Sequence, residues 1–181
     1  IDIIGSQTFF GLRASLYSKK IIEGMGYDWR IGNSYNNPSF GFGGYCLPKD
    51  VKQLEYHFKD ISAPIITSIN KSNLFRKVHI AKMILNSSAK TIGIYRINSK
   101  KESDNCRESS TIDVVRHIKR SGRDVVIFEP LIKDKMFLDC PIINDFNEFS
   151  AHSDIIVANR IDDILMKYNS KVFTRDIFQY D

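Results

Sequence analysis

Apolar residues recur along this chain in two different rhythms. Up to about residue 88 the spacing is helical: Ile3, Ile4, Phe9, Phe10, Leu12 and Leu16 are followed by Ile21, Ile22 and Met25. That predicts two helices within residues 1–26, parted near Ser15 to Ser18, with Ser18 as an N-cap. Val51, Leu54 and Phe58 mark one side of a short amphipathic helix whose start is predicted at Pro48 and which runs to His57. Pro64 opens a longer run ending near Asn86 to Ser88, in which Ile65, Ile66, Ile69, Leu74, Val78, Ala81, Met83, Ile84 and Leu85 keep roughly a 3.6-residue period. After Lys90 the rhythm changes. TIGIYR, DVVIFEP, PII, DIIVANR and KVF are short apolar runs bounded by polar loops, and SSTIDVVRHIKRSG, FNEFSAH and IDDILMKYN between them read as helices. Strands alternating with helices indicate a parallel sheet with right-handed crossovers. The expected fold class is α/β: a helical region over residues 1–88, then a Rossmann-like parallel-sheet domain over 89–181.

One stretch fits neither rhythm. Tyr35 to Asp50, YNNPSFGFGGYCLPKD, carries prolines at both ends and glycines at 41, 43 and 44. Glycines permit positive φ and close approach of backbone to a ligand, so the stretch reads as a site-building loop. Cys46 follows the flexible turn. Lys49 and Asp50, three and four residues on, can fold back near its sulfur if a helix begins there, and the amides of a helix start favour negative charge nearby. Cys106 and Cys140 lack such neighbours and read as small buried hydrophobes.

Composition narrows the class. The chain has 181 residues, 43% of them hydrophobic, enough for one sizeable core or two small ones. No run approaches the ~20 apolar residues of a membrane span and no signal segment opens the chain, so a cytoplasmic protein without membrane partners is expected. Three cysteines without a CxxC pair or zinc-type His spacing indicate neither a disulfide framework nor a metal. Lys and Arg outnumber Asp and Glu by 26 to 21; so small and scattered an excess suits a phosphate-bearing small molecule at least as well as nucleic acid, and no nucleic-acid partner is expected. His57, His79, His117 and His152 all fall on predicted helices away from the loop, which leaves a Cys-His hydrolase little support.

GFGGYCLPKD resembles the active-site signature of the nucleotide-sugar dehydrogenases, the UDP-glucose/GDP-mannose dehydrogenase family, and the preceding YNNPSF resembles its bacterial UDP-glucose-oxidising members. The resemblance implies an NAD-dependent, two-step, four-electron oxidation of UDP-glucose to UDP-glucuronate with Cys46 as nucleophile, Asp50 as base or water-orienting carboxylate, and Lys49 as a positive group near thiolate and cofactor. It implies that Tyr35, Asn36, Asn37, Pro38, Ser39 and Gly43 hold the sugar nucleotide, and that Arg30 reaches across a homodimer to the partner's sugar site. INSKKESDNCRESS is similar to a second family segment, in which Lys100 would bind the UDP pyrophosphate and Arg107 would contact NAD. Two departures stand out: Gly5 and Ser6 fall where an Asn-Glu pair is usual, and Ser99 where a Phe is usual. The chain contains no G-x-G-x-x-G fingerprint. By the family's layout, the NAD-binding half belongs upstream of Ile1, and the chain is expected to be a fragment that is inactive alone. The alternatives are a truncated module that dimerises and binds UDP-sugars without chemistry, and a dehydrogenase for UDP-N-acetylhexosamine or GDP-mannose.

Overall fold

A computed structural model describes residues 18–97 and 109–179. The helix predicted at the chain start, Lys100, Lys101, Cys106 and Arg107 lie outside the described residues. The first elements are helical: α1 (Ser18–Gly26), α2 (Cys46–His57) and α3 (Pro64–Leu85). They are followed by β1 (Thr91–Tyr95), α4 (Ser110–Arg120), β2 (Asp124–Phe128), the two-residue strands β3 (Met136–Phe137) and β4 (Cys140–Pro141), and α5 (Phe146–His152). The described chain closes with β5 (Ile155–Ala158), α6 (Asp163–Met166), a 3-10 turn at Asn169–Lys171, and β6 (Val172–Thr174).

The main sheet has strand order β2-β1-β5-β6, every pair parallel. Alternation along β1 sends Ile92 and Ile94 to one face and Tyr95 to the other. The first face joins Val125, Ile127 and Val157 to Ile112, Val115 and Ile118 of α4 and to Ile80, Ala81 and Ile84 of α3. The second packs Tyr95, Val126, Phe128 and Ile156 on Phe149 of α5 and Leu165 of α6. Gly93 faces this second layer at close range: a Cβ there would sit 2.1 Å from Ser153 Oγ. A smaller core of Phe42, Val51, Ile66 and Ile69 joins α2 to the first half of α3. The long helix therefore belongs to both cores.

Three expectations need correcting. Helix α2 starts at Cys46, two residues before Pro48, with Tyr45 as its N-cap. Proline is tolerated in a first turn because its missing N–H has no intrahelical acceptor to lose. In α3 the predicted apolar stripe is rotated: Ile65 and Leu74 are 73% and 54% exposed, while Asn73, Arg76 and Lys77 are buried. The buried face runs Ile66, Ile69, Asn73, Arg76, Lys77, Ile80 and Ile84, an i, i+3, i+4 track whose middle is polar. PII is not a strand of the parallel sheet. Pro141 pairs antiparallel with Met136, Ile142 makes a single parallel bridge to Ile127, and the Ile143 amide donates to the Ile127 carbonyl at 2.8 Å. The β3-β4 connection is Leu138-Asp139, both at positive φ (51° and 53°), the signature of a type I′ hairpin turn.

Candidate functional site

The register of the sheet decides where a ligand can sit. Phe128, Tyr95, Ala158 and Thr174 are level with one another at the carboxyl ends of their strands. The residues that follow them, Glu129, Arg96, Asn159 and Arg175, therefore line the carboxyl edge. From β1 the chain steps to β2 on one side and later returns to β5 on the other, so the strand order reverses between β1 and β5. In open α/β sheets the ligand crevice lies outside the carboxyl ends at that reversal.

The loop that precedes Cys46 is fastened to this edge. The Phe40 amide donates to Asn159 Oδ1 at 2.9 Å, and Arg160 Nη1 donates to the Pro38 carbonyl at 2.8 Å. Asn37 Nδ2 donates to Asp176 Oδ1 at 2.8 Å, and Asn37 Oδ1 accepts from the Ile177 amide at 3.1 Å. Helix α3 holds the other side. Asn73 accepts from the Phe42 amide and donates to the Phe42 carbonyl, both at 2.9 Å, as a neighbouring strand would. Arg76 donates through Nε (2.8 Å) and Nη2 to the Ser39 carbonyl. Two phenylalanines complete the anchorage: Phe40, fully buried, enters the sheet core beside Phe173, and Phe42 enters the α2-α3 core. Gly41 between them has φ of 147°, and a Cβ on it would lie 2.6 Å from Asn73 Oδ1. Only glycine lets the helix amide and the loop backbone come this close.

Beyond these anchors the chain turns outward. Cys46 is exposed at the first position of α2. Asp50 is four residues on and Lys49 three, a spacing that puts all three side chains over neighbouring parts of one helix surface. Lys49 Nζ lies 3.5 Å from Asp50 Oδ1 and 5.3 Å from the centre of the Tyr45 ring. An accessible thiol about one helical turn from a carboxylate and an ammonium suits nucleophilic chemistry with proton transfer.

The remaining candidates divide by burial. Tyr35, at φ 57°, is 72% exposed and Asn36 is half-buried. Asn37, Pro38 and Ser39 are buried, and the Asn37 and Ser39 side chains bond inward; Ser39 Oγ donates to the Gly41 carbonyl at 3.0 Å. Gly43 is half-buried on the way out to Cys46. Arg30 is exposed and gripped by Asp28, with Nε 2.9 Å from Oδ1. The pairing moves the Asp28 carboxyl below its ordinary pKa and the Arg30 guanidinium above its own. Arg175 has no salt bridge among the described residues; burial lowers its pKa, and the same cause, followed by the Arg175 charge, pushes Arg76 down to about 10. Sequence reasoning missed Asn73, Arg76, Asn159 and Asp176. The signal for the first two was present: an Asn and an Arg inside an otherwise apolar helical period.

Residues 13–75 match the family model described as the UDP-glucose/GDP-mannose dehydrogenase family, central domain, and residues 93–178 match the UDP binding domain of the same family. The chain is 45% identical over 174 residues to the UDP-glucose 6-dehydrogenase of Campylobacter jejuni, covering 95% of this chain and 44% of that protein. It is 45% identical over 163 residues to the UDP-glucose 6-dehydrogenase of Streptococcus pneumoniae, covering 90% and 41%. The chain thus spans less than half the length of these relatives. Among solved structures, it resembles a UDP-glucose dehydrogenase from Pyrobaculum islandicum (TM-score 0.71, 19% identity, 96% of this chain and 45% of that one). It also resembles a GDP-mannose dehydrogenase from Pseudomonas aeruginosa (TM-score 0.70, 20% identity, 99% and 47%). These likenesses place the fold.

Proposed function

The chain belongs to the UDP-glucose/GDP-mannose dehydrogenase family, and on that ground we propose that it forms the sugar-nucleotide half of an NAD-dependent enzyme that oxidises UDP-glucose to UDP-glucuronate. Residues 1–88 are assigned to a helical dimerisation region and 89–181 to a UDP-sugar-binding domain. The observation that carries the reading is the fastening of residues 37–42 to the carboxyl edge of the sheet beside the β1/β5 reversal, with Cys46 presented just beyond.

In this reading the thiolate of Cys46 adds to the C6 aldehyde of the substrate, giving a thiohemiacetal, and after a second oxidation at the same carbon a thioester that water cleaves. Asp50 accepts the proton of that water, and Lys49 balances the negative charge that develops near the sulfur. NAD supplies the hydride acceptor, one molecule for each of the two oxidations. The described residues fit only an edge of that cofactor: Lys49, with a side chain 56% exposed, is an accessible cation for one of its phosphates. Lys100 and Arg107 are assigned to the UDP pyrophosphate and to NAD. Tyr35, Asn36 and Gly43 meet the sugar nucleotide directly. Asn37, Pro38 and Ser39 act through the backbone they fix. Arg30 reaches the partner subunit of a homodimer.

Supplying an NAD-binding half in trans is expected to give UDP-glucose-dependent NADH formation that Cys46→Ala abolishes. Persistent turnover in that variant refutes the role of Cys46.

A further inference from the structure

Helix α3 meets the loop through three buried polar side chains, and two of them bond to it: Asn73 holds the backbone of Phe42, and Arg76 that of Ser39. Lys77, the third, bonds elsewhere. It is 9% exposed, and its Nζ lies 2.8 Å from Asp113 Oδ2 in the first turn of α4. Its stem runs past the loop on the way. A Cβ on Gly41 would lie 3.2 Å from Lys77 Cγ and 3.4 Å from Lys77 Cε, so the carbons of Lys77 fill the notch that the missing side chain leaves. Gly41 sits between the two anchors Phe40 and Phe42. Whatever keeps the Lys77 stem in place therefore also backs the loop.

That role falls to Asp113. Among the described residues it is the one carboxylate within ion-pair range of Lys77 Nζ. Its own position is fixed: Arg116 Nη1 lies 3.2 Å from Asp113 Oδ1, and Ser109, the N-cap of α4, accepts from the Thr111 amide and donates to the Ile97 carbonyl just beyond β1. An ammonium stripped of its counter-charge in a buried position is costly, and lysine has a flexible four-carbon stem by which to carry the charge out to water. Such a withdrawal empties the notch at Gly41. Holding the two helices together does not by itself call for the ion pair, because α3 and α4 already share an apolar seam of Ile80, Ala81 and Ile84 against Ile112, Val115 and Ile118. We propose that Asp113 is a positioning residue for the Cys46 loop and acts through Lys77: it pins the ammonium, the stem braces Gly41, and residues 39–42 keep the conformation that receives the sugar nucleotide. The inference rests on the proposed function and extends it to a residue of α4 whose side-chain bonds, among the described residues, are to Lys77 and Arg116.

The perturbation and its rescue lie on different helices, which separates this role from simple support of α4. Amide hydrogen exchange is followed by NMR in the unmodified 181-residue chain, in Asp113→Ala and in Asp113→Ala/Lys77→Met, and UDP-glucose binding is measured calorimetrically in the same three. Asp113→Ala is expected to speed exchange of the Phe40, Gly41 and Phe42 amides about tenfold, against about twofold or less for Ile156 and Val157 within the sheet, and to weaken UDP-glucose about fivefold. Adding Lys77→Met is expected to bring the loop amides and the affinity back to within about twofold of the unmodified chain, since an uncharged stem of similar length stays in the notch without a counter-charge. If Asp113→Ala does not fold, Asp113→Asn, which drops the charge and keeps the shape, carries the same comparison. Loop amides that exchange no faster in the Asp113 variant, sheet amides accelerated by the same factor as the loop, a loop that stays loose when Lys77→Met is added, or an unchanged UDP-glucose affinity in a chain whose loop has loosened each overturns the inference. If exchange responds as described while the unmodified chain binds no UDP-glucose, the nucleotide-sugar reading falls and the brace on Gly41 stands. If UDP-glucose binds and the loop ignores Asp113, the reading stands and the brace falls.

Discussion

The amide of Asn73 is the most economical place to break the link between helix α3 and the loop. Asn73→Ala removes one acceptor and one donor together, leaving the Phe42 amide and carbonyl, each paired at 2.9 Å, without partners in a buried setting. A buried backbone group stripped of its partner costs about 1–3 kcal/mol. Two such groups, with the opened space admitting some water, give an expected loss of about 3 kcal/mol. With a urea m-value of about 2 kcal/mol/M for a domain of this size, the unfolding midpoint should fall by about 1.5 M with m unchanged. Asn73→Asp keeps the acceptor for the Phe42 amide but loses the donor to its carbonyl, and should fall between the two. Chemical denaturation followed by circular dichroism reads both shifts. A midpoint within about 0.3 M of the unmodified chain for Asn73→Ala means that the pair does not hold the loop, and the account of how Cys46 is presented then fails.

Gly41→Ala should cost about 2–4 kcal/mol, because φ of 147° strains an alanine and its Cβ meets Asn73 Oδ1 at 2.6 Å. Combined with Asn73→Ala the loss should be less than additive; strict additivity in a double-mutant cycle contradicts the contact. Asp154 accepts from the Lys90 and Thr91 amides at 2.8 and 2.9 Å, which lowers its carboxyl from the ordinary value of 3.8. Its contribution to stability is therefore present above that value and lost as pH falls through the depressed one. The unmodified chain should exceed Asp154→Asn in urea midpoint at pH 7, and the gap should close as pH falls below 3.8; a gap that stays constant refutes the linkage. The His79 imidazole is held below its ordinary pKa by burial first and then by Arg76, Arg175 and Lys82. Arg175→Met should raise it in an NMR titration, and no movement places Arg175 too far away to matter.

The sheet was legible because its strands are short, apolar and separated by polar turns: TIGIY, DVVIF and IIVA appear in the structure almost as the sequence delimits them. The loop with Cys46 was legible as a loop for the same physical reason, too many glycines and prolines for either period. Its interior was not. Phe40 and Phe42 read as part of an active-site motif, and they are anchors in two different cores. The PII run failed because Leu138-Asp139 turns the chain with two positive φ angles and no glycine to announce it. The stripe on α3 was misplaced because counting apolar residues alone assigns Leu74 inward and Arg76 outward. The partner that reverses this, the Ser39 carbonyl, lies 37 residues away in the chain, a distance over which periodicity carries no information. Exposed Leu74 and Phe75, turned away from the buried track, are the corresponding apolar surplus.

The central claim is that a sugar nucleotide occupies the loop beside Cys46. The rate of Cys46 alkylation by iodoacetamide, followed peptide by peptide in the mass spectrometer with and without UDP-glucose, tests it most directly. The account predicts that saturating UDP-glucose slows modification of Cys46 at least severalfold while glucose alone does not. The same rate with and without UDP-glucose contradicts it.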